Sequence, residues 1–187
     1  TGDCSYDSKS INFDDNTVII LLIKLKKIIK VNKNKNTIIV QAGAMISDLI
    51  KYLKDKKITL FSVPGGDKIS VGGAISANVI GKDSSSNFAS FGDSVKNLEI
   101  LTEDGKIKKI NTDQSKNYIG AFGLSGLILQ AELKIRKIYS ANLSVECKIL
   151  NNLNEIKKEL SKKSDYRYIQ IDPFFRKEHF AATFNAN

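Results

Sequence analysis

The residues in this chain best suited to chemistry are its glycines and the small residues around them. Ser70-Val71-Gly72-Gly73-Ala74-Ile75-Ser76-Ala77-Asn78 follows a Pro64-Gly65-Gly66 turn, and a second glycine-punctuated segment spans residues 123–128. Side chains this small let a ligand approach backbone N–H groups closely, which is what the pyrophosphate of a dinucleotide requires. Two familiar nucleotide patterns are absent. There is no G-x-G-x-x-G after a strand, and Gly81-Lys82 has Ser76 where G-x-x-x-x-G-K needs its first glycine. Taken alone, Gly72-Gly73 could equally be a tight turn entering a close-packed helix.

The remaining reactive side chains point to no other chemistry. Cys4, Cys147 and His179 are too few and too far apart for a disulfide framework or a zinc ligand set, so no metal is expected. The cysteines read as small packing residues and His179 as an ordinary surface histidine. A reducing compartment follows, and with it a cytoplasmic location.

The net charge is +9, but only Arg136, Arg167 and Arg176 among the 29 basic residues are arginine. Phosphate and base-edge recognition favours the arginine fork, so a nucleic-acid partner is not expected. The longest apolar run, residues 18–23, is stopped by Lys24 and falls far short of the roughly 20 residues of a spanning helix. Hydrophobic residues at 42% and charged residues at 26% match an ordinary folded domain.

Residues 17–31 read as strand-like apolar runs broken by lysines, 32–36 as a polar turn and 37–40 as a short buried strand. Ser47 reads as the N-cap of a short amphipathic helix carrying Leu49, Ile50 and Leu53, and residues 58–63 return to extended character. Strands are expected at 95–101 and 106–110 around Asp104-Gly105, a hairpin signal, and at 129–138. From about Ser140 the character changes, with a helix at 156–160 and a strand at 166–171 that looks like the opening of another unit. The element order predicts an α+β fold with mixed sheets and flanking helices.

In this order and spacing, Val40-Gln41-Ala42-Gly43, Asp48-Leu49, Pro64-Gly65, Val71-Gly72-Gly73-Ala74-Ile75, Ala77-Asn78, Gly81, Phe91-Gly92-Asp93-Ser94-Val95, Asp104-Gly105 and Gly123-Leu124-Ser125-Gly126-Leu127-Ile128 form a pattern. It resembles the FAD-binding domain (PCMH-type) of the vanillyl-alcohol oxidase and p-cresol methylhydroxylase superfamily, over about residues 1–138. Gly81-Lys82-Asp83 with Phe91-Gly92 is most similar to the decaprenylphosphoryl-ribose oxidase branch, which oxidises a sugar hydroxyl. The resemblance implies that Gly2, Ser5, Tyr6 and Ser8 line the FAD pyrophosphate, and that Pro64, Gly65, Ser70, Val71, Gly72 and Gly73 hold phosphates and ribityl chain. It also implies Ala77, Asn78, Ile80 and Gly81 near the flavin ring and Gly126 and Ile128 near the adenosine half. Lys82 becomes a candidate for an anionic substrate group, against the alternative of a solvated loop lysine.

Departures from the pattern matter too. Covalent members often carry a histidine in the first loop, where this chain has Ser5-Tyr6, so noncovalent FAD is expected. The sugar-oxidising branch usually has histidine where Ile80 stands. The implied activity is hydride transfer from a sugar or alcohol C–H to flavin, with an electron acceptor the sequence does not identify. The catalytic base is expected in a substrate domain of which residues 139–187 are only the start, and a further segment is expected ahead of the first glycine loop. A catalytically degenerate flavin-binding module, or a basic protein for nucleic acid or anionic surfaces, are the alternatives.

Overall fold

The computed structural model describes residues 20–81, 88–138, 142–163, 166–171 and 179–186. Within them the chain forms a six-stranded sheet followed by a three-stranded one. The α+β fold expected from the sequence is present, and the expected mixed sheets resolve into antiparallel pairing throughout the described strands.

The first sheet opens with a hairpin. β1 (Ile28–Asn32) pairs with β2 (Thr37–Gln41) across a turn in which Asn32 Oδ1 accepts from the Lys35 amide at 3.1 Å and Asn36 adopts a positive φ of 49°. Asparagine suits both jobs, since its short amide side chain mimics the backbone and tolerates left-handed geometry. Only Ile28–Asn32 of the lysine-broken apolar stretch becomes strand; residues 20–27 are irregular, and 17–19 lie outside the described residues.

α1 (Ile46–Lys54) buries Ile46, Leu49 and Leu53, one face at helical spacing. It begins earlier than a Ser47 cap would place it: Met45 is the N-cap and no side chain caps the helix. The Ile46 and Ser47 amides donate instead to Ile69 O and Asp67 O, both at 2.9 Å, so a tertiary strap does the capping. β3 (Ile58–Leu60) follows, and then α2 (Val71–Ser76), whose Ser70 N-cap accepts from the Gly73 amide.

A 3-10 turn, Phe91–Ser94, leads into β4 (Val95–Leu101), and Gly105, with φ of 74°, turns it into β5 (Ile107–Ile110). After α3 (Thr112–Ser115) comes β6 (Leu127–Lys137), which pairs with β2, β3 and β4 and so organises the whole sheet. Alternate residues Ala131, Leu133 and Ile135 face the core, where they meet Ile38 and Val40 of β2, Leu98 and Ile100 of β4, and the buried faces of α1 and α2.

The second sheet joins β7 (Leu143–Leu150), β8 (Tyr166–Gln170) and β9 (His179–Ala186) in the order β7-β9-β8. α4 (Leu153–Leu160) packs on it through Ile156, with Leu150, Ala181 and Ile169. Its Glu159 is nearly buried and is held below the usual carboxylate range, first by a 2.6 Å hydrogen bond from Lys162 and then by the charges of Lys148 and Arg167. Cys147 is a free, exposed thiol in β7 and not the packing residue its type suggests. His179 pairs with Leu150 through its backbone.

Candidate functional site

At the end of β2 the chain stops being a strand and becomes a scaffold for glycines. The Ala42 amide donates to Leu129 O of β6 at 2.9 Å, and Ala42 O accepts from the Gly72 amide at 2.8 Å. The Val71 amide donates to Ala44 O at 2.9 Å, so the first turn of α2 is pinned across the mouth of β2. A Cβ on Gly72 would lie 2.9 Å from the Ala42 Cβ, which is why this contact needs glycine. Gly43 is tighter still: a Cβ there would lie 2.0 Å from Leu22 O, while its amide donates to Leu25 O at 2.8 Å.

These bonds change the reading of three expected ligand-binding residues. The amides of Val71, Gly72 and Gly73 are all occupied, the last by Ser70 Oγ at 3.2 Å, so they hold α2 in place and are not free donors. The donors left over are those of Gly65 and Gly66: both residues are exposed, a Cβ on either would meet nothing within 4 Å, and among the described residues neither amide has a protein partner. Pro64 is buried beside them.

Beyond α2 the backbone is bent into unusual geometry. Asn78 has φ of 45°, and its Oδ1 accepts from the Gly92 amide at 3.0 Å, tying the helix end to the 3-10 turn. Gly120 and Phe122 donate to Ile75 O and Ser76 O at 3.0 and 2.9 Å, bringing the 120–126 loop against the same end of α2. Phe122 sits at φ of 52°, a conformation a bulky residue rarely adopts, and is 76% exposed. Leu124 is 93% and Ile80 74% exposed. Phe122 and Leu124 thus expose large apolar side chains on the loop held at the end of α2, and Ile80 does so four residues past that helix.

Gly126, with φ of 142° and no room for a Cβ beside Ile100 Cγ2 at 2.7 Å, starts β6 on the same side of the sheet. Hydrogen bonds and close contacts thus set Ser70, Val71, Gly72, Gly73, Ala77 and Asn78 of α2 and its ends against the end of β2 and the 3-10 turn, with Gly126 beside Ile100 of β4; Pro64, Gly65, Ile80 and Gly81 flank α2 in the chain. Val71 and Ile128 are buried in the core. Gly2, Ser5, Tyr6, Ser8 and Lys82 lie outside the described residues. Sequence reasoning missed Gly43, Phe122 and Leu124 as parts of the site. The signal for the last two was a large apolar pair set among Gly120, Gly123 and Gly126.

A site made of close-approach glycines, unengaged amides and exposed apolar side chains defines a binder of dinucleotide-like cofactors. The FAD binding domain family matches residues 2–111, more than half of the chain, and the chain belongs to that family; its cofactor is FAD. Among curated proteins it is 26% identical over 143 residues to decaprenylphosphoryl-beta-D-ribose oxidase of Mycolicibacterium smegmatis, covering 74% of this chain and 31% of that protein. It is 31% identical over 94 residues to UDP-N-acetylenolpyruvoylglucosamine reductase of Clostridium botulinum, covering 50% of this chain and 29% of the reductase. A solved structure of alkyldihydroxyacetonephosphate synthase superposes with a TM-score of 0.74 at 13% identity, covering 87% of this chain and 37% of that one, a likeness of fold. The chain thus spans about a third of the length of the proteins it matches.

Among the described residues no helix is long and apolar enough to cross a membrane, and no group of three His, Cys, Asp or Glu could hold a metal ion.

Proposed function

We propose that this chain is the flavin-cradling portion of an FAD-linked oxidoreductase that acts on a CH–OH group of a sugar or related alcohol, in the cytoplasm. The observation that carries the reading is the glycine turn. Gly43 and Gly72 allow α2 to press onto the end of β2, which leaves Gly65 and Gly66 free to donate to an anionic group. The Mycolicibacterium relative is a decaprenylphosphoryl-beta-D-ribose oxidase, which supports a sugar as the substrate class.

In this reading residues 1–138 form the FAD-binding domain and 139–187 begin a substrate domain. Gly65 and Gly66 hold phosphate through their amides, while Asn78 fixes the end of α2. Ile80, Phe122 and Leu124 shield the ring from water, and Gly126 gives the adenosine half its close approach. Gly2, Ser5, Tyr6 and Ser8 complete the pyrophosphate loop, and Lys82 meets an anionic substrate group. FAD bound there supplies the hydride-accepting chemistry, and the protein's part is to orient it and tune its charge. Attachment is noncovalent, because the only histidine is His179 of β9 and the first loop has Ser5-Tyr6.

A second reading has one observation in its favour. Ile80 is open to solvent and carries no proton donor, as suits a flavin-binding module without turnover. Absorption spectra of the full-length protein separate the two. Flavin released intact on denaturation supports noncovalent FAD, and bleaching by an added sugar alcohol supports turnover. A flavin that stays oxidised with every sugar and alcohol tried leaves the module, and a full-length protein that takes up no FAD removes the cradle.

A further inference from the structure

The opposite end of the first sheet is built on different principles. Strand alternation puts Leu133 and Ile135 of β6 in the core and Lys134 and Arg136 on the other face. Around this end of the sheet Lys134 and Arg136, with Lys35, Lys96, Lys137, Phe61 and the edge of Ile135, line a hollow of about 480 Å³. An adjoining hollow of about 280 Å³ shares Arg136 and Lys137 and adds Lys33, Lys56 and Lys57. The pairing register sets Thr37 against Lys134 and Gln41 against Gln130, so at about 3.4 Å per residue the Lys134 side of the hollows lies about 14 Å along β2 from the end that leads into Ala42 and Gly43.

Eight cations thus share one end of the sheet, and among the described residues only Lys96 has a carboxylate within 4 Å, that of Glu132 at 3.9 Å. The field is felt by that carboxylate. Burial opposes its ionisation, yet hydrogen bonding, from Asn97 among others, and the charges of Lys96 and Lys35 hold it below the usual range. The cations are also positioned. The Arg136 guanidinium lies 5.8 Å from the Phe61 ring centre, Phe61 stacks on Phe88 at 4.0 Å, and Lys134 Nζ donates to Asp93 O at 3.2 Å. A concave, single-sign cluster of pre-set cations concentrates small anions. Among the described residues at this end the aromatic rings are taken, Phe61 by Phe88 and Arg136 and Tyr52 by Lys56 at 4.1 Å, which argues against single-stranded nucleic acid.

We propose that the two hollows form a binding site for a compact polyanion, a small ligand carrying two or more phosphate groups, separate from the flavin cradle. The inference does not rest on the oxidoreductase reading. Calorimetric titration of the full chain with inorganic pyrophosphate at low salt, with and without FAD, tests it. Pyrophosphate binds with either, and Arg136→Gln with Lys137→Gln weakens it by roughly tenfold, the loss of charge-assisted bonds, while FAD absorbance is kept. Lys35→Gln, on an exposed turn, weakens it less and serves if the double variant fails to fold. Lys109→Gln, on β5, leaves it unchanged. ADP in place of pyrophosphate, with FAD saturating the cradle, separates a free polyphosphate from the phosphates of a nucleotide: tighter ADP binding that the Arg136→Gln, Lys137→Gln variant weakens assigns the site to the latter. Absence of pyrophosphate binding, a Lys109→Gln loss as large as the double variant's, or tighter uptake of a short DNA duplex with the same variant dependence overturns the proposal.

Discussion

The two ends of the first sheet recognise by opposite means. At the β2–α2 end the side chains have been removed and the backbone exposed: Gly43 and Gly72 sit where a Cβ would strike neighbouring atoms, and Gly65 and Gly66 have open amides. At the Lys134–Lys137 end the backbone pairs with β2 and β3, and long charged side chains do the reaching. Backbone sites are rigid and tolerate no added atom; side-chain sites are mobile and tolerate many. Substitutions should therefore hurt abruptly at one end and gradually at the other.

The largest effect is expected at Gly43. Gly43→Ala places a Cβ 2.0 Å from Leu22 O and should cost about 2–3 kcal/mol in unfolding free energy, read by denaturant titration, with flavin lost in parallel. Gly72→Ala, whose Cβ meets the Ala42 Cβ at 2.9 Å, should cost less, about 1–2 kcal/mol, yet still weaken FAD retention in gel filtration. If both variants bind FAD as the native chain does, the rigid end is misassigned.

How much of this was legible in the sequence depends on which physics wrote each part. The strands at 95–101 and 37–41, the Asn32–Asn36 turn and the Asp104-Gly105 hairpin are local, set by β-branched runs and turn residues, and they appear where the residues put them. The start of α1 was misplaced because its cap comes from Ile69 and Asp67, some twenty residues away in the chain, which no local pattern encodes. β7 and β9 were not read at all: Leu143-Ser144-Val145-Glu146-Cys147-Lys148-Ile149 does alternate apolar and polar residues and was passed over, while the alanines of β9 carry little strand preference. At the site, the glycines announced close approach, but which amides were already taken could be learned only from the fold. A nucleic-acid partner was set aside on the scarcity of arginine, and the basic end itself went unread because net charge says nothing of where cations gather.

Salt sharpens the contrast. Raising NaCl from about 0.05 M to about 0.5 M should strip a polyanion from the Arg136 end while leaving flavin in place at the glycine end, followed by calorimetry and absorbance. Glu132→Gln removes the carboxylate beside Lys96 and should strengthen pyrophosphate binding about twofold to threefold. The same variant carries a pH signature. Because the folded protein holds the Glu132 pKa below its ordinary value, its contribution to stability is present above the unfolded carboxylate range and is lost as pH falls through the folded pKa. Acid unfolding of the Gln variant should accordingly be shallower than that of the native chain. An unchanged acid limb would show that Glu132 is not stabilised by its cationic neighbours.

β6 joins both ends, and it is the last strand of the first sheet to be synthesised. Its partners β2 and β4 lie roughly ninety and thirty residues upstream, and β3 also waits for it. On a ribosome, then, the hairpin of β1 and β2 and the hairpin of β4 and β5 exist as two unjoined pieces with bare edges until residue 137 has cleared the exit tunnel. Closure by long-range pairing is slow, so the interval before β6 arrives is when this chain most needs protection from sticking to its neighbours.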